Sequence, residues 1–445
     1  MNLRMSTVLP ALFESLHPTL LPPIIPKITN TEIILETGYA PSQNRDVFTL
    51  SDYTSINIVG LGKASLSSLM PFATELTSLK NRGSDVPSNL NLLCVSKLDT
   101  SSPEHISALT NVNCKILYGD HPTPSEKSVT AARTVQTLTS SPSSLNLIFI
   151  SGGTSSLCSL PSISLPLYKS ITTKLVTSSH SIQSINSLRS LLDTFKSGGL
   201  SSSIPSSSTL KTYVISDVVD DDIRYIGSGP TMFQERDKER ALEVWKTLKD
   251  ECSESEVEEV EDVLKIQEDD YGIWEGYNEP IIISRNSDAV IQASSILKMS
   301  LPHLNVNADL DPFEGSADSV INKIIDSALK NGPGVYVKGG ESTVEFDVNS
   351  GGKGGRNMEM TLIGAIKLNK MKLNNVSIAC YGTDGNDGPT DAAGAMWWGG
   401  GVEGGEESLG RHDSYFFWEG RGRGELIFTE GGTNLADLVV VIVEK

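Results

Sequence analysis

Residues 339–360 read GGESTVEFDVNSGGKGGRNMEM, and their reading decides how the rest of the chain is understood. Between Ser342 and Val348 the apolar Val344, Phe346 and Val348 alternate with polar neighbours, the period of a strand with one covered face. The pair Gly339–Gly340 precedes this run, and Gly351, Gly352, Gly354 and Gly355 make a loop after it. Arg356 and Asn357 then open a helical run that puts Met360, Ile363 and Leu368 roughly on one face. Asn357 is the expected N-cap, its side-chain oxygen accepting an otherwise unpaired N–H, and Glu359 suits the dipole of the first turn. Glycines let a backbone approach an anion closely, a helix start offers N–H groups to it, and Arg356 adds a planar fork for carboxylate or phosphate. Taken alone, the stretch fits a solvated hairpin with a surface arginine slightly better than a binding loop.

Working outward, apolar strands alternate with helical runs. Strands are expected at Ser55–Val59, Asn91–Val95, Cys114–Tyr118, Leu145–Ile150, Tyr213–Ser216, Pro280–Ser284, Leu304–Leu310, Val335–Lys338, Val376–Tyr381, Glu425–Phe428 and Leu438–Val443. Helices are expected near Ser6–Leu16, from Ala64 with a break or bend at Pro71, at 126–138, 167–196, 236–249, from Ser287, and at Ala317–Lys330. Residues 397–424 give no clear pattern. The alternation predicts parallel α/β sheets, whose ligands bind beyond the carboxyl ends of the strands. The unusual polar loops fall there: Gly60–Lys63, Gly119–Pro124, Ser151–Ser156, Asp217–Asp222, Gly339–Glu341 and Gly382–Asp391. Six loops in equivalent places predict a cleft, with the Gly339 region as its opposite wall.

A chain of 445 residues exceeds one ordinary core, so two or three domains are expected. No apolar run reaches membrane-spanning length. The formal net charge of −19 argues against general binding to nucleic acid or anionic membranes. An anionic substrate would therefore need cations gathered locally, which makes each basic residue beside a glycine loop informative. The five cysteines are odd in number and lack metal spacing. They point to a reducing compartment without structural zinc, and Cys94, Cys114 and Cys380 read as small buried thiols in strands. The N-terminus has no signal-peptide pattern. A cytoplasmic protein is expected, although the scarcity of acidic residues before Glu14 leaves room for an organellar presequence. The acidic block 250–275 reads as a solvated helix or surface insertion.

Each loop has a chemical and a plain reading. Gly60-Leu61-Gly62-Lys63-Ala64-Ser65 half-matches a dinucleotide fingerprint, but Ser65 replaces the third glycine and no acidic residue suits the end of the next strand. Lys63 fits phosphate neutralisation or an ordinary surface lysine. Ser151, Gly152 and Gly153 fit an oxyanion or phosphate cradle about as well as a tight strand-to-helix turn. GxxxxGK[ST] and GxSxG are both absent. Asp217 follows a strand directly, with Asp220, Asp221 and Asp222 beside it, a setting for Mg²⁺ binding or proton acceptance, or for helix capping. Asp384, Asp387 and Asp391 repeat the theme, some of them closing turns with Gly385 and Gly388. Carboxylates opposite cations at glycine loops suggest phosphoryl transfer.

Together the segments VGLGKAS (59–65), GDHPTPSE (119–126), ISGGTSSL (150–157), INSLRSLLDTFKSGGL (185–200), ISDVVDDDIRYIGSGPT (215–231), GGESTVEF (339–346), GGRNMEM (354–360) and GTDGNDGPTDAAGA (382–395) resemble the class II glycerate kinase family with its C-terminal MOFRL domain. The resemblance runs from about residue 55 to the C-terminus. It implies two three-layer α/β/α domains, the first Rossmann-like with a mostly parallel sheet over 1–320 and the second with a mixed sheet over 321–445. It also implies ATP-dependent phosphorylation of D-glycerate, to 2-phosphoglycerate, in an inter-domain cleft. By position Lys63, Asp217 and Arg356 match the family's charged cleft residues, and Ser151, Gly152 and Gly153 its glycine-rich loop. On this reading Arg356 pairs with the substrate carboxylate, with Asn357, Asp384 and Asp387 as further substrate or phosphate contacts. Asp217 faces the 2-hydroxyl, and Asp217 and Asp221 are the candidate Mg²⁺ ligands. The expected partners are glycerate and nucleotide, in a monomer or homodimer without nucleic acid or membrane. Two alternatives are an NAD(P)-dependent hydroxypyruvate or tartronate semialdehyde reductase and a binding protein that kept the cleft without turnover.

Overall fold

A computed structural model describes residues 2–39, 43–98, 103–176, 178, 180–233, 237–266, 279–344, 351–422, 425–429 and 432–445. The chain forms two compact units: Pro22–Ser216 with Asp221–Ile283, and Met1–Leu21 with Asp217–Asp220 and Ser284–Lys445.

The first unit opens on a small antiparallel sheet, β1 (Ile24–Ile28), β2 (Glu32–Thr37) and β3 (Asn44–Thr49), in the order β1-β2-β3. Its main sheet holds β4 (Ser55–Leu61), β5 (Leu90–Lys97), β6 (Lys115–Gly119), β7 (Ser144–Ile150), β8 (Thr209–Ile215) and β9 (Ile281–Ser284), ordered β6-β5-β4-β7-β8-β9. With β4 counted as first this is the 3-2-1-4-5-6 order of a doubly wound sheet. Pairing is parallel from β6 through β8. Every residue of β7 is buried, as expected of a strand covered on both faces. Asn91, Asn57 and Asn146 lie in register across β5, β4 and β7. Asn57 donates to Asn146 at 2.9 Å and accepts from Asn91 at 3.0 Å, so the polar atoms that strand burial would strand are satisfied sideways.

The second unit carries a mixed sheet: β10 (Val306–Ser316), β11 (Gly334–Thr343), β12 (Val376–Gly382), β13 (Gly394–Trp397), β14 (Leu426–Ile427) and β15 (Asp437–Val443), ordered β10-β11-β15-β12-β13-β14. Only the β10–β11 pair is parallel; β15 runs antiparallel to both β11 and β12. The helices Ala317–Asn331 and Arg356–Lys370 bury Ile321, Ile325, Met360 and Leu362 against Ile378, Val439 and Val441 of the sheet. The N-terminal helix Asn2–Leu20 belongs to this unit, and its Phe13 ring lies 5.1 Å from that of Tyr381. The expected architecture therefore stands: two α/β/α domains, the first Rossmann-like and mostly parallel, the second mixed.

The structure differs from several expectations. The units do not meet at one cut after residue 320. That position falls inside the helix Ala317–Asn331, and β10 already belongs to the second sheet. No separate strand starts at Ser342: β11 runs from Gly334 through both glycines to Thr343, and Phe346 and Val348 lie outside the described residues. The helix Ser65–Asn81 continues through Pro71. The expected helix 167–196 is two helices, Leu165–Val176 and Ile182–Leu191. The strands β1–β3 and β13 were not foreseen. Within 397–424 the helices Gly405–Gly410 and Ser414–Arg421 form. Of the acidic block, residues 254–266 are helical, and 267–275 lie outside the described residues. Cys94, Cys114, Cys158 and Cys380 are buried free thiols. Among the described residues no helix is long and apolar enough to cross a membrane.

Candidate functional site

In the mixed-sheet unit the side chains converge at the start of the helix Arg356–Lys370. Its N-cap is Gly355, not Asn357, and the orphan N–H groups of Asn357 and Met358 donate to the Asp387 carboxylate at 3.0 and 2.7 Å. The cap thus arrives from 30 residues away, and the Asn357 side chain is released for other work. Its Nδ2 donates to Asp437 at 2.9 Å and more loosely to Asp387 at 3.4 Å. These two carboxylates fix the amide orientation, because a flipped amide would aim its oxygen at them. Asn357 Oδ1 is left as a buried acceptor with no hydrogen-bond partner among the described residues.

Arg356 is held on two sides. Asp437 takes Nε at 2.6 Å and Nη2 at 3.1 Å, and Glu341 takes Nη1 at 2.7 Å. The expected fork for a substrate carboxylate is therefore already gripped by a protein carboxylate, and three of the five guanidinium N–H donors are engaged. Burial pushes the Asp387 carboxyl up to about 7, against the pull of the two backbone N–H groups and of Arg356. Burial likewise raises Asp437, opposed chiefly by Arg356. The Arg356 guanidinium stays charged. Asp384 accepts from the Asn386 N–H at 3.2 Å, the turn-closing role. Asp217, two residues after the end of β8, accepts from Asn434 Nδ2 at 3.0 Å. The segment carrying Asn434 is itself pinned: Thr383 Oγ1 bridges the Leu435 N–H and the Ala436 carbonyl, both at 2.7 Å.

In the parallel-sheet unit the loops after β4 and β7 are stitched together. The Lys63 N–H donates to the Gly152 carbonyl at 2.9 Å, and the Ala64 N–H to Ser151 Oγ at 3.0 Å. Gly62 sits at φ +108°, where a Cβ would stand 2.3 Å from Ser151 Oγ, so the two loops meet this closely only with glycine there. A Cβ on Gly153 would lie 3.3 Å from Lys63 Cγ and 3.4 Å from His121 Cδ2. Lys63, Ser151, Gly152 and Gly153 are thus neighbours at the carboxyl ends of adjacent strands. Asp221 adopts the left-handed conformation at φ +54°.

Behind this loop lie groups that the sequence reading passed over. Lys196 and Asp193 form a fully buried pair at 2.5 Å, and Lys196 Nζ also donates to the Ser155 carbonyl at 2.8 Å. Asp193 further accepts from Ser159 Oγ at 2.6 Å and from the Leu160 and Phe195 N–H groups. Arg189 Nη2 reaches Ser155 Oγ at 2.6 Å. Two cations in one segment, 185–200, were the available signal. The sequence reading took this segment as a helix and assigned neither cation a role.

Mg²⁺ takes one or two carboxylates, with phosphate oxygens and water completing its shell. Among the described residues no group of three or more His, Cys, Asp and Glu side chains forms a closed cage. Asp217 is the kind of group the looser requirement calls for, a carboxylate just beyond a strand end, and Asn434 is one of its partners.

A doubly wound sheet with glycine loops at its strand ends, followed in the same chain by a mixed sheet whose helix start is built around an arginine and three carboxylates, defines a two-unit α/β protein with a Rossmann-ordered first sheet. The family described as Domain of unknown function (DUF4147) matches residues 24–265, and the MOFRL family matches 334–437. The glycerate 2-kinase of Pyrococcus horikoshii is 31% identical over 362 residues, which covers 74% of this chain and 78% of that protein. An uncharacterized protein of Caenorhabditis elegans is 30% identical over 436 residues, covering 89% and 91%. The crystal structure of glycerate kinase from Thermotoga maritima superimposes with a TM-score of 0.70 at 26% identity, covering 87% of this chain and 91% of that one. The chain belongs to the class II glycerate kinase family.

Proposed function

We propose that this protein is a kinase that transfers the terminal phosphoryl group of ATP to the 2-hydroxyl of D-glycerate, giving 2-phosphoglycerate and ADP. The observation that carries the reading is Lys63 packed beside Gly153 at the carboxyl ends of β4 and β7, where doubly wound sheets take their ligands. The glycerate 2-kinase and glycerate kinase names of the relatives supply the substrate class.

The glycerate 2-oxygen forms the new bond to phosphorus as the bond to the ADP oxygen breaks, and its proton passes to Asp217. Lys63 neutralises the phosphoryl oxygens, and the Ser151–Gly153 loop cradles the nucleotide phosphates. Arg356 binds the glycerate carboxylate through the N–H donors that Asp437 and Glu341 leave over. Asn357 Oδ1 accepts a hydrogen bond from a glycerate hydroxyl, and Asp384 and Asp387 support these side chains, Asp387 through the helix start it caps. Mg²⁺ held by Asp217, with Asp221 as second candidate, would supply charge neutralisation at the phosphates. We place the reaction in the cytoplasm, in a monomer or homodimer.

The test is incubation with ATP, Mg²⁺ and D-glycerate, with ³¹P NMR identifying the phosphoglycerate isomer. Formation of 3-phosphoglycerate, or oxidation of reduced nicotinamide with hydroxypyruvate in place of transfer, overturns the assignment. Lys63→Met is expected to lower kcat about 100-fold or more, the scale for losing one preorganised charge donor. Arg356→Ala is expected to raise KM for glycerate and lower kcat. Arg356→Lys restores only part, because a point charge cannot pair bidentately.

A further inference from the structure

Among the described residues Arg189 stands out as a cation without a carboxylate. It lies on the helix Ile182–Leu191, half-buried, and its neighbour Lys196 already has Asp193 as counter-ion. Among the described residues Arg189 makes no ion pair. Its contacts are Ser155 Oγ at 2.6 Å and a long approach to Asn186 Oδ1 at 3.5 Å. Its Nε is shut away from solvent and has no acceptor among the described residues. A half-buried guanidinium with an unmet donor is costly, the more so in a chain with 55 acidic residues available against 36 basic ones.

The group it touches is also incomplete. Ser155 Oγ accepts from Arg189 Nη2 and from Ser228 Oγ at 2.8 Å. With both incoming hydrogen bonds occupying the oxygen, the Ser155 hydroxyl keeps its own donor, for which no acceptor is found among the described residues. Ser155 follows directly on the Gly152–Gly153 loop, whose buried Gly152 carbonyl holds the Lys63 N–H. Lys196 fixes the other end of the same residue by taking the Ser155 carbonyl. Arg189, Ser155 and Lys196 thus place a cation, a hydroxyl donor and a rigid support against one loop. What would complete them is an oxyanion.

From this geometry we infer that Arg189, with the Ser155 hydroxyl, is a binding residue for an oxyanion of one of the two substrates, the carboxylate of glycerate or a phosphate of the nucleotide. This rests on the kinase reading above. A guanidinium suits either group, since both offer two oxygens to its parallel N–H donors. Lys196 is a positioning residue: it holds Ser155 and does not itself meet the ligand.

The two sources separate by titration calorimetry of D-glycerate and of ADP with Mg²⁺ against the wild-type chain, Arg189→Met, Arg189→Lys and Ser155→Ala, alongside steady-state KM values for glycerate and ATP. The expected result is a loss of about tenfold or more in affinity for one ligand in Arg189→Met, the scale of one charge-assisted hydrogen bond. The other ligand changes by less than about threefold, KM rises for the same substrate, and Arg189→Lys recovers part of the loss. A glycerate-selective loss assigns the carboxylate, and an ADP-selective loss assigns the phosphate. Unchanged binding of both ligands, or equal weakening of both together with a lowered melting temperature, overturns the proposal. If Arg189→Met does not fold, Arg189→Lys and Ser155→Ala carry the same comparison at unchanged melting temperature. A wild-type chain that binds glycerate or ADP without transferring phosphate refutes the kinase reading while the Arg189 comparison still stands. A wild-type chain that binds neither refutes both.

Discussion

At the scale of single residues Asp387 is the most consequential side chain of the mixed-sheet unit. It caps the helix bearing Arg356 and Asn357, and it is fully buried. Asp387→Ala is expected to cost about 2 kcal/mol in urea unfolding, the upper range for a lost cap, because Asn357 and Met358 would keep buried N–H groups without acceptors. Its titration gives a second expectation. Folding raises this carboxyl from about 3.9 in the unfolded chain to about 7. As pH climbs from about 4 to about 7 the unfolded state gives up its proton first, so the stability this group contributes is full below that window and lost through it. A ¹³C carboxyl titration should show one aspartate with a midpoint near 7 that is missing in Asp387→Asn; a midpoint below about 5 refutes it. The sequence showed that Arg356 and Asn357 begin a helix, but it assigned the cap to Asn357. The true cap is 30 residues away, and of the two carboxylates that hold Arg356 one is 15 and the other 81 residues away. Local capping rules see three or four residues, and these contacts exist only once the sheet has formed.

At the scale of elements, the buried Asp193–Lys196 pair holds together the segments behind the Ser151 loop. Lys196→Met leaves Asp193 charged and enclosed, and the expected loss is about 3–5 kcal/mol, read from chemical denaturation. A double change, Asp193→Asn with Lys196→Met, should recover part of it, because asparagine removes the unpaired charge and keeps an acceptor for the Leu160 and Phe195 N–H groups; no recovery would mean that the uncompensated charge is not the source of the cost. Gly62→Ala is expected to separate the loops after β4 and β7, both through its positive φ and through the clash with Ser151 Oγ. It should reduce turnover more than it lowers the melting temperature. The main sheet was legible because fully buried parallel strands give continuous apolar runs such as Leu145–Ile150. β1 was missed because Pro22, Pro23 and Pro26 interrupt its short run, and β2 and β3 because they are six residues each beside that Pro-rich stretch. β11 was cut too early because Gly339 and Gly340 read as a break. Gly339 is instead required inside the strand, where a Cβ would meet Asn286 Oδ1 at 1.9 Å.

At the scale of the whole molecule, the chain is an acidic protein proposed to handle two anions. Its net field opposes substrate approach while local cations attract at short range. At about 0.01 M salt the field extends some 30 Å, and at about 0.15 M only about 8 Å. kcat/KM for glycerate is therefore expected to rise by a factor of a few across that range, and a monotonic fall would show that local cations dominate even at distance. Two α/β domains were legible from the alternation of strands and helices. Their membership was not, because sequence order says nothing of which sheet a terminal helix will join.

The helix Asn2–Leu20 is synthesised long before the residues of the unit it joins. Its buried Leu9, Leu12, Phe13, Leu16 and Leu20 belong with a sheet whose final strand ends at Val443, so during synthesis this greasy stripe leaves the ribosome long before its neighbours exist. Nascent chains stalled before β12 (Val376–Gly382) has emerged should therefore display it to chaperones, and the mixed sheet is completed only once Asp437–Val443 has left the ribosome.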